Sequence, residues 1–375
     1  DLWRMRLQNT IHGTRPDVHF IRLDGERIEV AIYLDGYQYH AASVIPGRSG
    51  NRIADDADKR NVLRGHGFRV FQVTWDDVER WRGATVSRPE VWPPYGGLVQ
   101  EKVRDIYRQL SGRDASELAT TLWAQPLDQL FAFLADPDAR VWRWRAEAAL
   151  GGLLAVQGRT MARYDSATLP KAVAAALRGD PLPPETGGGI TLVRAVDGSG
   201  CPVVTLVDRR GPAPRWTGLV VCDDRVETIK ADEAAHRQRW AAWLAWSNII
   251  QFLGDDLGGD ADQLAYSTLD SFDPTTLEAA DSTGILFTHR LKPIDPESAD
   301  WLGRQPIVDA VPTPTIETAP ADERWRRVLA LLSPEESGLE SLVHGLAARG
   351  APVPTVGYEL GDDGWQAELA WPAGR

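Results

Sequence analysis

Cysteine is nearly absent from this chain: Cys201 and Cys222 are the only two in 375 residues. Two thiols cannot complete a zinc site without histidine or carboxylate help. A disulfide scaffold is excluded too, leaving either one Cys201–Cys222 bridge or two reduced thiols in a core. The second reading implies a cytoplasmic setting. No run of 18 apolar residues occurs, so no membrane-spanning segment is expected. The N-terminus, Asp1-Leu2-Trp3-Arg4-Met5-Arg6, has no apolar stretch of the kind a secretory leader carries. It also has no initiator Met, and the chain stops at Trp371-Pro372-Ala373-Gly374-Arg375, so a piece of a larger protein is expected.

Positive charge is also scarce overall, with a formal net charge of −12. The imbalance is uneven. Residues 1–112 carry 17 Lys/Arg against 15 Asp/Glu, a net +2, and the remainder carries 24 against 38, a net −14. A nucleic-acid surface is therefore expected only in the first part. The acidic remainder suits a protein-interaction platform.

With 43% hydrophobic and 25% charged residues, the chain reads as an ordinary globular protein of two or three units. Residues 18–22 and 27–34 read as strands joined by an Asp24-Gly25 turn. A loop bearing Pro46, Gly47 and Gly50 follows. Residues 55–64 read as a helix ended by Gly67, and residues 69–74 as a third strand, parallel to the second through a right-handed crossover. Residues 101–111 and 115–157 read as helical, and the Pro/Gly-rich stretch 179–189 as a linker. Residues 191–194, 203–208 and 218–222 read as three antiparallel strands. Residues 232–254 form an amphipathic helix bearing Trp240, Trp243 and Trp246. Residues 292–322 suggest a surface loop, 323–349 a helix, and 356–360 with 366–371 a closing hairpin. The expected domains are 1–112, a helical connector at 113–178, and an α+β unit at 190–375 with a small antiparallel sheet.

The chemistry-bearing residues cluster early. Asp17 opens one strand and Asp35 closes its antiparallel partner, so carboxylates 18 positions apart can meet. Phosphodiester hydrolysis needs charge stabilisation at the phosphate and an activated water, and a hard cation on carboxylate and carbonyl oxygens supplies both. His40, five residues past Asp35, can serve as general acid or base. Each has a plainer reading: Asp17 and Asp35 as turn acids beside Pro16 and Gly36, His40 as a packed histidine, and Asp55 as a dipole partner at a helix start.

The segment Ile32-Tyr33-Leu34-Asp35-Gly36-Tyr37-Gln38-Tyr39-His40 resembles the strand–turn motif of the very-short-patch-repair endonucleases, within the PD-(D/E)XK nuclease superfamily. Asp56, Lys59, Leu63 and Gly67 match the spacing of the following helix in that family. The resemblance covers about 70 residues. It implies a restriction-endonuclease-like α/β fold, a mixed sheet flanked by helices, and Mg²⁺- or Mn²⁺-dependent DNA cleavage. Asp17, Asp35 and the Leu34 backbone carbonyl would be the metal ligands, with His40 and Asp56 completing the catalytic set. Lys59, Arg60, Arg52 and Arg48 are the candidate phosphate contacts, the plainer reading being a solvated helix face. The superfamily's Glu-x-Lys is replaced by Tyr33-Leu34-Asp35, a departure shared with the very-short-patch enzymes. That departure also suits a second reading, a retired nuclease fold used for DNA binding or docking. More weakly, residues 243–253, 356–360 and 367–371 resemble C-terminal regions of large bacterial DEAD/DEAH-box helicases linked to phage defence. A helicase region of the same chain or complex would then be the partner.

Overall fold

A computed structural model describes residues 2–24, 28–43, 51–82, 91–211 and 214–253. Beyond these it describes 264–269, 272–274, 277–280, 284–287, 323–331, 343–344, 347, 353–360 and 365–370. The elements are β1 (Trp3–Leu7), β2 (Val18–Arg22), β3 (Glu29–Asp35), α1 (Tyr37–His40), α2 (Ile53–Gly65), β4 (Arg69–Thr74), α3 (Trp75–Arg82), α4 (Pro93–Gly96) and α5 (Gln100–Ser111). After a 3₁₀ turn at Ala115–Ala119 come α6 (Pro126–Ala135), α7 (Ala139–Leu154), β5 (Thr160–Tyr164), α8 (Leu169–Arg178), β6 (Ile190–Val196), β7 (Pro202–Asp208) and β8 (Arg215–Cys222). The rest comprises α9 (Val226–Ala231), α10 (Glu233–Ile250), β9 (Leu264–Thr268), β10 (Leu277–Ala280), β11 (Gly284–Phe287), α11 (Glu323–Leu331), β12 (Thr355–Leu360) and β13 (Trp365–Ala370).

The architecture is α/β, with two mixed sheets flanked by helices. The first sheet has the order β1-β2-β3-β4. The β1–β2 and β2–β3 pairs are antiparallel, and β3–β4 is parallel, with Asp35 opposite Thr74. A parallel pair needs a crossover, which α2 supplies. Helix α2 ends where Gly67 takes φ +86°, a left-handed conformation that favours glycine. The sequence showed three of these strands but not β1, whose exposed Met5 and Leu7 break the usual inside–outside alternation. The expected Asp24-Gly25 turn lies partly outside the described residues.

The second sheet is larger than expected and is not purely antiparallel. Its order is β5-β6-β7-β8-β9, and β9 runs parallel to β8. Strand β5 falls in the stretch expected to be a helical connector. Its Ala162 and Tyr164 turn inward while the residues between and before them stay exposed, a two-residue period that overrides helix propensity. The stretch 179–189 is a pinned strap rather than a free linker. Thr186 N–H donates to Arg163 O at 3.1 Å, Tyr164 OH to Pro183 O at 2.8 Å, and Arg209 N–H to Gly189 O at 3.0 Å. Gly188 lies so close to Tyr164 that a Cβ there would come within 2.2 Å of its carbonyl oxygen.

Helix α10 organises the first unit. Trp240, Trp243, Trp246, Ile249 and Ile250 are all buried, and the helix packs against both β4 and β8. Each buried tryptophan removes roughly 150–250 Å² from water, on the order of 4–6 kcal/mol of gross burial energy at about 25 cal/mol per Å². Two polar residues of the same region replace a neighbour strand along β4. Gln251 Oε1 accepts the Val70 N–H, Asn248 Oδ1 accepts the Gln72 N–H, and Asn248 Nδ2 donates to Gln72 O, each at 2.8–2.9 Å. An edge that would otherwise offer unpaired backbone groups is thereby closed.

One apolar core joins residues of β3 and β4, α5–α7, β7, β8 and α10. The chain accordingly divides into compact units at Asp1–Gly303 and Arg304–Arg375. The boundaries expected at 112, 178 and 190 all fall inside the first unit: the shared core spans 112, and a second apolar cluster joining β5, α8 and β6–β8 spans 178 and 190. In the second unit Trp325, Val328 and Val343 form a small cluster, and β12 pairs antiparallel with β13, Thr355 opposite Ala370. The expected loop at 292–322 lies outside the described residues. Cys201 and Cys222 are both reduced and buried. Among the described residues no helix is long and apolar enough to cross a membrane.

Candidate active site

The strand ends of the first sheet bring the predicted side chains together. Asp17 precedes β2; its N–H donates to Ile32 O at 2.9 Å, and its Oδ2 accepts the Leu34 N–H at 2.8 Å. The hairpin therefore ties Asp17 to the end of β3 through one backbone bond and one to its carboxylate. Leu34 meets Asp17 through its N–H. Asp35, the last residue of β3, is only 1% exposed. Its Oδ1 accepts a hydrogen bond from Arg60 Nη2 at 2.6 Å, and its Oδ2 is buried without a partner among the described residues.

His40 reaches this cluster because the chain turns at once into α1. Gly36 passes under Trp75, and a Cβ at this position would meet the Trp75 and Tyr39 rings at 3.3 Å. Tyr37 anchors the turn, its OH donating to His236 Nδ1 at 2.9 Å. Tyr37 is buried, whereas Tyr39 is exposed. His40 Nδ1–H then donates to Asp56 Oδ2 at 2.6 Å and lies 3.8 Å from Asp35 Oδ1. Asp56 stands in the first turn of α2, and the backbone clamps that helix to α1 where Arg52 N–H donates to His40 O at 2.7 Å.

The electrostatics follow from burial and pairing. Burial raises the Asp17 carboxyl above its usual range, opposed by the Leu34 N–H and the charge of His40. Burial likewise raises Asp35, against the pull of Arg60 and His40. Burial alone would raise Asp56, but the His40 hydrogen bond and Arg60 outweigh it and hold the carboxyl low. Burial alone would depress His40, but the Asp56 hydrogen bond and the charge of Asp35 lift it above 6.5. Tyr33 is pushed up to about 12, mainly by burial.

These shifts set a pH window. The stability that the pair draws from His40 is present below pH 6.5 and is lost as pH rises through the raised folded value. The share from Asp56 is present above pH 3.8 and is lost as pH falls through the depressed one. We expect His40→Gln to cost most stability between pH 3.8 and 6.5, measured by urea unfolding across a pH series. A stability difference that does not vary with pH would refute the pairing.

Arg60 requires a correction. Expected on a phosphate-facing surface, it is 2% exposed and lies inside α2's buried face. It binds Asp35, donates from Nη1 to Gln72 Oε1 at 3.3 Å and stacks over the Tyr33 ring at 5.0 Å. The helical period places residue 60 on the same face as 53, 56, 57 and 64, all buried, and that period is the sequence signal for an inward Arg60. Lys59 is on the outer face and pairs with Asp55 at 2.7 Å, and Arg52 lies 4.0 Å from the same carboxylate. Arg48 lies outside the described residues.

Among the described residues no group of three or more His, Cys, Asp or Glu is gathered as a ready cation site. Two carboxylates do fit a magnesium ion, which keeps several waters and binds proteins through one or two carboxylates. Burial penalises the charged form of both carboxyls, a cost that a bound cation would offset, and Asp35 Oδ2 is an orphaned oxygen that a hard cation would satisfy. No family model, curated protein or solved structure matches the chain, so the functional reading rests on this geometry.

Proposed function

We propose that the chain is a Mg²⁺- or Mn²⁺-dependent DNA endonuclease built on a restriction-endonuclease-like core. The observation that carries this reading is the meeting of Asp17, Asp35 and the His40–Asp56 pair at one end of a β2–β3–α2–β4 unit, beside an unsatisfied buried carboxylate oxygen. Asp17 and Asp35, with the Leu34 carbonyl, would hold the cation. When bound, it would supply charge stabilisation at the scissile phosphate and acidify a water. Asp56 fixes the imidazole of His40 by taking its Nδ1–H, which leaves Nε2 as the atom that exchanges a proton with the attacking water or the leaving oxygen. Arg60 holds Asp35 in place and offsets part of its charge. Lys59 of α2 and Arg52 just before it, both at the Asp55 carboxylate, are the proposed contacts to the DNA backbone. A helicase region of the same chain or complex is the proposed partner, in DNA defence or repair.

The test is nicking of supercoiled plasmid with Mg²⁺ or Mn²⁺, stopped by EDTA. His40→Ala should slow it by at least ~10²-fold, the lower range of general acid–base contributions, with DNA affinity retained. Equal rates for both proteins would remove His40 from the chemistry.

One observation favours a second reading. The guanidinium of Arg60 already neutralises Asp35 at 2.6 Å, as in a nuclease fold kept for DNA binding or docking. Salt-sensitive DNA binding without nicking in either metal would select that reading.

A further inference from the structure

Away from these carboxylates, four elements of the first unit converge on a cavity of about 270 Å³. Arg178 enters from the last turn of α8, Arg194 from β6, Arg225 from the start of α9 and Arg239 from α10. The lining holds four arginines against a single carboxylate, Asp223, in a chain whose net charge is −12.

That carboxylate is already taken. Arg225 donates from Nε to Asp223 Oδ1 at 2.8 Å and from Nη2 to Oδ2 at 2.7 Å. The other lining groups that titrate bring no negative charge. Burial keeps the Cys201 and Cys222 thiols protonated. His236 is neutral by its bonds, accepting from Tyr37 OH at Nδ1 and donating from Nε2 to Asp223 O. Three guanidiniums therefore face the cavity with no carboxylate partner among the described residues. Among the described residues Arg178 donates only to the Ala174 carbonyl of its own helix, at 3.3 Å. The Nε of Arg194 is buried without a hydrogen-bond partner among the described residues. A buried guanidinium donor left unsatisfied is costly.

We infer that this cavity is an anion-binding site for a phosphoryl group, held by Arg194 and Arg239 with Arg178 at its rim. Planar guanidiniums bind phosphoryl oxygens with paired N–H donors. The volume accommodates a phosphate and part of what it is attached to, whereas a bare halide would leave most donors unmet. Thr228, whose hydroxyl donates to Asp223, lines the same wall. The inference does not rest on the nuclease reading, since none of these residues touches Asp17, Asp35, His40 or Asp56.

The test is calorimetric titration of the 375-residue protein at fixed ionic strength, because screening alone also weakens surface charge effects. The probes are inorganic phosphate, adenosine monophosphate and a short 5′-phosphorylated oligonucleotide, with its unphosphorylated form as the reference. Saturable binding of phosphate or the nucleotide is expected, weakened at least ~10-fold in Arg194→Gln and in Arg239→Gln. Arg108→Gln, on the exposed face of α5 and paired with Asp105, should match the parent. Binding confined to the phosphorylated oligonucleotide and lost in the same variants would identify a nucleic-acid end as the source. Two variants on separate elements keep the test decisive if one fails to fold. Absence of saturable binding by every probe, or equal affinity in whichever variant retains the parent's melting temperature, would overturn the inference.

Discussion

Asp17→Asn should lower plasmid nicking by about three orders of magnitude while leaving the melting temperature nearly unchanged, since cation stabilisation of a phosphoryl transition state is worth several kcal/mol and each 1.36 kcal/mol is tenfold in rate. Asparagine keeps the acceptor that meets the Leu34 N–H at 2.8 Å, so the β2–β3 hairpin stays tied as before. What it removes is the negative charge. Single-turnover cleavage at saturating Mg²⁺ measures the effect, and DNA affinity measured alongside should stay within a few-fold. Raising Mn²⁺ should recover part of the lost rate, because Mn²⁺ binds a given N/O site more tightly than Mg²⁺. Nicking within ~10-fold of the parent protein, about 1.4 kcal/mol, would remove Asp17 from the metal site and with it the core of the proposed mechanism.

The largest stability effect should come from Arg60→Ala, on the order of 3–5 kcal/mol, the usual cost of breaking a buried ion pair by removing one partner. Arg60 and Asp35 have side chains only 2% and 1% exposed. Without the guanidinium, Asp35 is left as a buried carboxylate with neither oxygen neutralised. The same change removes the stacking on Tyr33 and the bond to Gln72. Two controls separate lost charge pairing from lost packing. A double variant, Arg60→Met with Asp35→Leu, should recover most of the stability, because similar volumes refill the space and no charge remains. The defect of Arg60→Ala should also shrink as pH falls towards 4. The Asp35 carboxyl is already raised by burial, so the penalty for its charged form is present above its folded pKa and vanishes once it is protonated. Urea unfolding at pH 7 and pH 4.5 reads both. A loss that is the same at both pH values, and unrescued in the double variant, would show that Arg60 acts as packing alone.

The two results bear on each other. Arg60 is the cation that makes a buried Asp35 tolerable, and it also occupies one of the two oxygens that a metal would use. An Asp35 held in this way leaves only the buried Oδ2 for a cation, so Asp17 carries more of the proposed ligation than its position at a strand start suggests. Loss of nicking in Asp17→Asn together with unfolding in Arg60→Ala would divide the roles cleanly. Asp17 then works on the substrate side, and Arg60 on the protein side of the same carboxylate pair.

Much of the first sheet was legible because its signals are local. Alternating β-branched residues mark β2 and β3, and a Gly67 that must adopt φ +86° marks the helix end. The approach of Asp17 to Asp35 also follows locally, since a hairpin returns the chain beside its start. His40 lay within reach for the same reason, five residues past a strand end. The tryptophans of α10 were readable as core from their spacing.

What the sequence by itself determined, then, is the β2–β3–α2–β4 unit, the residues gathered at its strand ends, and the apolar character of α10. Each depends on contacts between residues close in sequence or on a periodicity within one element. The tertiary structure alone decided the rest, because those features arise between distant segments. Strand β1 is recognisable only once β2 offers it an edge, and β9 only once β8 does. The strap at 179–189 is composed like a linker, and it is the carbonyls and hydroxyls of neighbouring elements that hold it. The closing of β4 by Asn248 and Gln251 spans about 180 residues. Arg60 turns inward because a carboxylate 25 positions earlier is buried opposite it, and a charge goes into a protein interior only where its partner is already waiting.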